Sequence, residues 1–291
     1  MGRDRQRLKE CAARAASCLL FVACPIRAST ADNSPAPQEG LLQYLFNTNT
    51  DTKTKAIGPG EHLTIMTYNI KSGERGIKGI ANVINKQKPN LVFLNEVSMY
   101  SPSQPNYLLS ELTGMQMLFG HSTTFSNGVY GNAILTNLPV LSEEVVPLGH
   151  YPGYEDRSLV IARLLLKDGS IMTAAATHFT HINADIRMAQ ATIAKGALAK
   201  YDPQSLYLGG DFNADQGTAI PFMFEQFMDD AFDGTPLYTA PTSPNKVSHI
   251  DYLFVPSGTE VRKVRIVGGD ASDHPAEVAL TSAPYPQNHV K

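Results

Sequence analysis

Residues 208–215 read LGGDFNAD, an apolar strand-like approach from Leu206 to Gly209 that turns through a second glycine into Asp211 and Asn213. Gly209-Gly210 lets the backbone come close to a ligand. In an extended segment Asp211 and Asn213 project to one side and Phe212 to the other. The same design recurs along the chain. LTIMTYNIKSG (63–73), LVFLNEV (91–97), THFTH (177–181), SHIDYLFV (248–255) and SDHPAEV (272–278) each join an apolar strand to carboxylate, carboxamide or imidazole side chains at its end. Rigid strand bodies let residues far apart in sequence line one pocket, so these segments are expected to form a single active site.

Working outward, Ile77, Ile80, Ala81 and Ile84 fall at helical spacing, and that helix should stop near Lys88-Pro89. A second helix is predicted over Tyr107 to Thr113, after a Ser/Pro/Asn loop. Strands are predicted at Met115 to Phe119, Asn132 to Thr136, Leu159 to Leu166 and Ile171 to His178. Ala184 to Lys200 reads as a helix with Ile186, Ala189, Ile193 and Ala197 on one side. A helix through Phe224, Phe227, Met228 and Ala231 and strands at Ile250 to Val255, Glu260 to Val267 and Glu277 to Leu280 complete the pattern. With no internal repeat or low-complexity tract, one layered α/β or α+β domain over residues 62–283 is expected, with a short tail at 284–291.

A chain of 291 residues, 43% hydrophobic and 18% charged, is long enough for one substantial core. Residues 1–31 read as an export signal: Arg3, Arg5, Arg7, Lys9 and Arg14 precede an apolar run from Ala15 to Pro25 that is too short to span a bilayer. A cytosolic basic tail and a lipid anchor on Cys24 are the alternatives. Cys11, Cys18 and Cys24 all lie in this leader, so the exported body has no disulfide and no thiolate metal site. Residues 32–61 read as a linker rich in Ser, Pro, Asn and Thr. The product is expected to be periplasmic or secreted, monomeric, and without a transmembrane segment in its mature part. The leader holds six of the 24 basic residues and two of the 27 acidic ones, so its loss moves the net charge from −3 to about −7. That opposes broad nonspecific nucleic-acid binding, which needs a basic surface.

Asn69 and Glu96 end consecutive strands. If those strands pair, they bring a neutral oxygen and a carboxylate together, an outline that suits Mg²⁺ better than the denser oxygen cage of calcium. Asp273-His274 is the acid–base element, with Asp251 as the carboxylate that orients the ring, supplied by a neighbouring strand. His178 is placed to stabilise charge on a phosphoryl oxygen or to protonate a leaving group.

As an ordered set these motifs resemble the endonuclease/exonuclease/phosphatase superfamily with its deoxyribonuclease-I-like fold, and within it small exported bacterial hydrolases. The resemblance runs from about Leu63 to Leu280. It implies a four-layered α/β sandwich of two packed, mostly antiparallel sheets flanked by helices. It also implies a site with metal-side residues Glu96, Asn69 and Asp273, and catalytic residues His274, Asp251, His178, Asp211 and Asn213. Tyr130, Asn132 and Arg157 would contact substrate. The implied cofactor is Mg²⁺ or Mn²⁺, and the implied chemistry is in-line attack by water on a phosphoester. Two positions depart from the family pattern: Asn95 stands where glutamine is common before the metal-binding glutamate. Asn132 stands where deoxyribonuclease-like members carry an acid. The substrate stays open among nucleic acid, a phospholipid head group and a small phosphodiester or phosphomonoester. A catalytically silent binding protein that engages a partner through Tyr151 to Tyr154 is the alternative of another class.

Overall fold

A computed structural model describes residues 54–100, 106–125 and 128–285. The expected leader, most of the linker and most of the tail lie outside the described residues. The first half contains β1 (His62–Asn69), α1 (Ile77–Gln87), β2 (Leu91–Ser98), α2 (Leu108–Thr113), β3 (Gln116–Phe125), β4 (Gly128–Thr136) and β5 (Val140–Pro147). The second contains β6 (Ser158–Leu165), β7 (Ile171–His178), α3 (Ala184–Leu198), β8 (Leu206–Asp211), α4 (Ala219–Glu225), β9 (Met228–Asp230), β10 (Asp251–Pro256), β11 (Val261–Val267) and β12 (Ala276–Ser282).

The strands form two six-stranded sheets in the orders β11-β12-β1-β2-β4-β3 and β5-β6-β7-β8-β10-β9. Each sheet has one parallel pair, β1 with β2 and β7 with β8, and is otherwise antiparallel. Between the members of each parallel pair the chain passes through α1 or α3, since parallel neighbours require a crossover. Three apolar clusters match the three interfaces of a helix–sheet–sheet–helix sandwich. Ile80 and Ile84 of α1 pack with Met66, Val92 and Val278 on one outer face. Ile65, Phe93 and Ala279 meet Val160, Ala174 and Leu253 between the sheets. Ala194 and Leu198 of α3 and Phe224 of α4 cover Ile161, Leu208 and Phe254 on the other outer face. The expected four-layered, mostly antiparallel sandwich is the observed fold.

Several expectations need correction. The buried stripe of α3 is Gln190, Ala191, Ala194 and Leu198, not the side bearing Ile193, which is 37% exposed. Small alanines let this helix sit close to the sheet, and Gln190 accepts a bond from the Thr180 amide (2.8 Å). The helix through Phe224 ends at Glu225, because Met228–Asp230 extends to pair with Phe254–Pro256 and caps the edge of its sheet. β5 was not anticipated: it is an edge strand whose Ser142, Glu143 and Glu144 are exposed or partly so, which leaves no apolar alternation to read. Finally, the end of the stretch read as linker is anchored to the body. Ile57 is buried, and its carbonyl accepts from the Lys167 amide (2.8 Å).

Candidate active site

Both parallel pairs run toward the same end of the sandwich, and their last residues face each other across it. Asn69 pairs in register with Asn95, and His178 with Asp211. Asp251, at the start of the antiparallel β10, also lies opposite Asp211. Opposite β4, the pairing of β2 slips between Leu94 and Val97, and Glu96 in this bulge has a left-handed backbone (φ +58°). Such a bulge re-aims a side chain, and here it turns Glu96 into the cleft. The strain of a left-handed non-glycine residue is tolerated where surrounding contacts fix it, commonly at functional sites.

Asp211 is the hub. Its Oδ2 accepts from Asn69 Nδ2 (3.1 Å) and lies 3.6 Å from His178 Nε2 and 3.8 Å from His274 Nε2. Asn69 Nδ2 also donates to Glu96 Oε1 (2.9 Å), so one amide holds two carboxylates at the cleft. The Asp211 Oδ1 accepts from the Asn213 amide (2.9 Å). Asn213 is not extended as expected but left-handed (φ +48°), and this swings its side chain onto His178 Nε2 (3.1 Å) and the Phe179 carbonyl (2.8 Å). Phe212 points into the apolar layer beneath α4.

His274 Nδ1 lies 2.9 Å from Asp251 Oδ2. The two come from opposite sheets, β10 and the segment entering β12, rather than from neighbouring strands as expected. Ser272 Oγ secures that segment by donating to the Asn69 carbonyl (2.7 Å). Burial opposes protonation of His274, but the negative charge of Asp251, and then of Asp211 and Asp273, outweighs it and raises the ring to about 10. Burial, with the charge of Asp251, pushes Asp211 up to about 7. His178 goes the other way: burial, then the charge of Arg157, holds it well below its ordinary value. Arg157, itself buried, places Nη1 3.0 Å from His178 Nδ1 and Nη2 3.0 Å from Glu155 Oε2. His178 is therefore neutral, which suits a charge-stabilising role and not that of a ready acid.

The remaining predicted residues sit differently. Tyr130 is buried beside Arg157 and Glu96, and burial keeps its phenol protonated. Asn132 is 1% exposed and spans the sheets: its Oδ1 accepts from Asn95 (3.0 Å) and its Nδ2 donates to the Ser158 carbonyl (2.9 Å). Both ends of this amide are committed to protein, so it does not face substrate. Asp273 turns to Lys71 Nζ (2.8 Å) instead of joining Glu96 and Asn69 by direct contact.

Two contributors went unassigned in the sequence. Asn95 donates to the Thr177 carbonyl (2.8 Å) as well as to Asn132, and its Oδ1 accepts from the Asp211 amide (2.7 Å). Its place directly before Glu96 was the one available signal. The segment 243–248 forms a wall of the cleft, with His181 and Asp215 alongside; nothing in its composition marks it.

A divalent cation fits this donor set. The carboxylates of Glu96 and Asp211 meet at Asn69 Nδ2 (2.9 and 3.1 Å) and line the cleft, and Asp211 also lies within 4.8 Å of ligand atoms of Asp251 and His274, where Asp251 Oδ1 is buried without a hydrogen-bond partner among the described residues. Clustered, buried carboxylates of this kind are relieved by positive charge.

The Endonuclease/Exonuclease/phosphatase family profile matches residues 66–274. Among curated proteins no sequence matches the chain. An endonuclease/exonuclease/phosphatase from Beutenbergia cavernae superposes with a TM-score of 0.64 at 22% identity over 77% of this chain and 72% of its own. The mannosyl-6-phosphatase Bt3783 of Bacteroides thetaiotaomicron gives 0.62 at 17% identity, covering 75% and 99%. TDP2 of D. rerio, complexed with single-strand DNA product, gives 0.62 at 16% identity, covering 76% and 99%. With the profile spanning every converging residue from Asn69 to His274, the chain belongs to the endonuclease/exonuclease/phosphatase family.

Proposed function

We propose that the protein is a divalent-metal-dependent phosphodiesterase in which His274, oriented by Asp251, removes a proton from the attacking water. The observation that carries this reading is the 2.9 Å His274–Asp251 contact, with Asp211 and Glu96 in the same cleft. Asp251 fixes Nδ1 of the ring and leaves Nε2 facing the cleft beside Asp211. Its carboxylate neighbours keep the ring protonated in the metal-free protein; once their charge is offset by a cation that they hold, Nε2 is able to take the proton as water attacks phosphorus in line with the leaving oxygen. Arg157 donates to His178 Nδ1, so the neutral ring carries its hydrogen on Nε2 and offers it toward a phosphoryl oxygen, while Asn213, bound to the Phe179 carbonyl, sits against that edge of the ring. Glu96 and Asp211, tied together by Asn69 Nδ2, would hold Mg²⁺ or Mn²⁺ with water. When bound, the cation supplies Lewis-acid polarisation of the phosphoryl oxygen and charge that offsets the carboxylates.

A phosphomonoesterase acting on a small hydroxylated ester is the second reading. The cleft measures about 470 Å³, and the described residues lining it include His181, Asp215, Ser243, Asn245 and Ser248, with no lysine, arginine, phenylalanine or tyrosine among them. Such a wall offers hydroxyl partners and lacks the cations and stacking rings that hold a nucleic-acid strand. We place the enzyme outside the cytoplasm on the strength of its basic-then-apolar leader. Among the described residues no helix is long and apolar enough to cross a membrane.

The test is hydrolysis of bis-p-nitrophenyl phosphate and of p-nitrophenyl phosphate with Mg²⁺ or Mn²⁺, followed by plasmid DNA, RNA, sphingomyelin and phosphoinositides. Chelator-sensitive turnover of the diester is the expected result. Turnover of the monoester alone selects the second reading, and no turnover of any substrate by the metal-loaded chain removes both.

A further inference from the structure

Two short segments, His249-Ile250-Asp251 and His274 to Glu277, each carry one histidine and one carboxylate. They are joined twice, with the roles exchanged. His274 Nδ1 meets Asp251 Oδ2 at 2.9 Å, and His249 Nε2 lies 2.8 Å from Glu277 Oε1. We propose that the buried His249–Glu277 pair is a positioning brace that sets the geometry of the Asp251–His274 dyad; this inference rests on the catalytic role given to that dyad above.

The need for a brace follows from topology. β10 and β12 belong to different sheets, so no ladder of backbone hydrogen bonds fixes the spacing between them. The dyad spans that gap, and a single contact leaves the two segments free to pivot about it. The second contact removes that freedom. Each of its partners is held independently: His249 Nδ1 lies 2.7 Å from the Ala240 carbonyl, which commits that nitrogen as a donor and aims Nε2 at Glu277. The ring also packs edge-on against Tyr252, with centroids 5.4 Å apart. Thr242 Oγ1 accepts from the amides of Ile250 (2.9 Å) and Asp251 (3.0 Å), so the backbone between the two functional side chains is pinned. On the other side, Glu277 pairs in register with Thr67 of β1, two residues before Asn69.

Stability alone does not account for the choice of residues. Glu277 is 0% exposed and His249 4%, and farther along the same inter-sheet space the contacts are apolar. Burying two ionisable groups carries a desolvation penalty, and replacing such a pair by apolar residues of similar volume is often neutral or stabilising. What a close polar contact supplies, and leucine does not, is a short separation between two defined atoms. Positioning matters steeply here, since misplacement of a reacting group by about 1 Å can cost ~100-fold in rate.

The test compares full-length chains carrying Glu277→Gln, Glu277→Asp and the double replacement His249→Leu with Glu277→Leu. Glutamine keeps the reach to His249 without the charge; aspartate keeps the charge and is one methylene too short. Two readouts are taken: kcat and KM for bis-p-nitrophenyl phosphate with Mg²⁺, and the downfield proton resonance of His274 Nδ1–H in the metal-free protein. The expected order is Glu277→Gln within a few-fold of wild type, and Glu277→Asp and the folded double variant lower by about tenfold in kcat with KM little changed. The His274 resonance should move or broaden in the last two and hold in the first. Should the double variant fail to fold, the glutamine–aspartate contrast carries the comparison. Equal kcat and unchanged resonance in all variants, or aspartate outperforming glutamine, overturns the brace. If the wild type itself turns over no phosphoester, the hydrolase reading fails while the resonance still decides the brace.

Discussion

Replacing Asn95 by leucine removes three hydrogen bonds from a side chain with no solvent exposure. The lost bonds are those to the Thr177 carbonyl (2.8 Å), to Asn132 Oδ1 (3.0 Å) and from the Asp211 amide (2.7 Å). Leucine has nearly the same volume, so the cost is polar and not a cavity. A buried group left without its partner costs about 1–3 kcal/mol, so three such groups give roughly 3–9 kcal/mol, and relaxation of the carbonyls puts the expected loss at about 3–5 kcal/mol. That is a large part of a domain's usual margin. Asn95→Asp should lose a similar amount, because it keeps the acceptor for the Asp211 amide but loses both donors and adds a like charge beside Asp211. Urea unfolding at neutral pH with chelator present, followed by circular dichroism, measures both, and the m-value should stay unchanged. Activity should fall at least tenfold, because the Asp211 backbone loses its anchor across the sheets. A loss below about 1 kcal/mol for Asn95→Leu would refute the reasoning, since it would mean that the sheets hold Asp211 in place without this amide.

Further outcomes follow from other parts of the molecule. Gly210 has φ +149°, and a Cβ there would fall on the Thr177 carbonyl oxygen, so Gly210→Ala should separate β7 from β8. It should destabilise by several kcal/mol, on the order of other incompatible glycine replacements and backbone strain; a melting temperature within 2 °C of wild type, on a scale of roughly 2–8 °C per kcal/mol, contradicts this. Burial raises Asp230 to about 6, so between that value and the ordinary carboxylate range the folded state binds the proton more tightly than the unfolded chain. Wild-type stability from this group is therefore lost as pH rises through that window. Asp230→Asn, which keeps an oxygen for the Phe232 amide, should be more stable than wild type at pH 8 by up to about 3 kcal/mol. The gain should vanish near pH 4, and thermal melts across pH 4–8 that show no such trend refute it. Adding Mg²⁺ to chelator-treated protein should raise its melting temperature, by about 2.7 kcal/mol of stabilisation at 100 times Kd. Asp211→Ala should flatten that titration, and an unchanged curve places the cation elsewhere.

Much of this architecture was legible because it depends on local signals. The spacing of Ile77, Ile80 and Ile84 marked α1, and the left-handed Lys88 before Pro89 ended it as expected. Convergence of Asn69, Glu96, His178, Asp211, Asp251 and His274 was readable because each lies at or beside an end of an apolar strand, Asn69, His178 and Asp211 at its last residue and Asp251 and His274 at or just before its start. What escaped depends on partners distant in sequence. The face of α3 was misjudged because alanines facing a sheet carry a weaker apolar signal than an exposed Ile193. β9 looks helical until the edge of β10 claims it. Asn132 resembled a substrate contact, yet it is spent on Asn95 and Ser158, residues 37 and 26 positions away. No local pattern distinguishes an asparagine that bridges two sheets from one that faces a cleft, and the same holds for the His249–Glu277 pair.

The central claim is that His274, held by Asp251 next to Asp211, is the base of a metal-dependent phosphoester hydrolysis. Single-turnover hydrolysis of bis-p-nitrophenyl phosphate by Mg²⁺-loaded wild type and His274→Ala tests it most directly. The account predicts a slower chemical step in the variant by about 10²–10⁴-fold, the usual share of general base catalysis. A variant that cleaves the diester at close to the wild-type rate, still folded and still dependent on the cation, would contradict it.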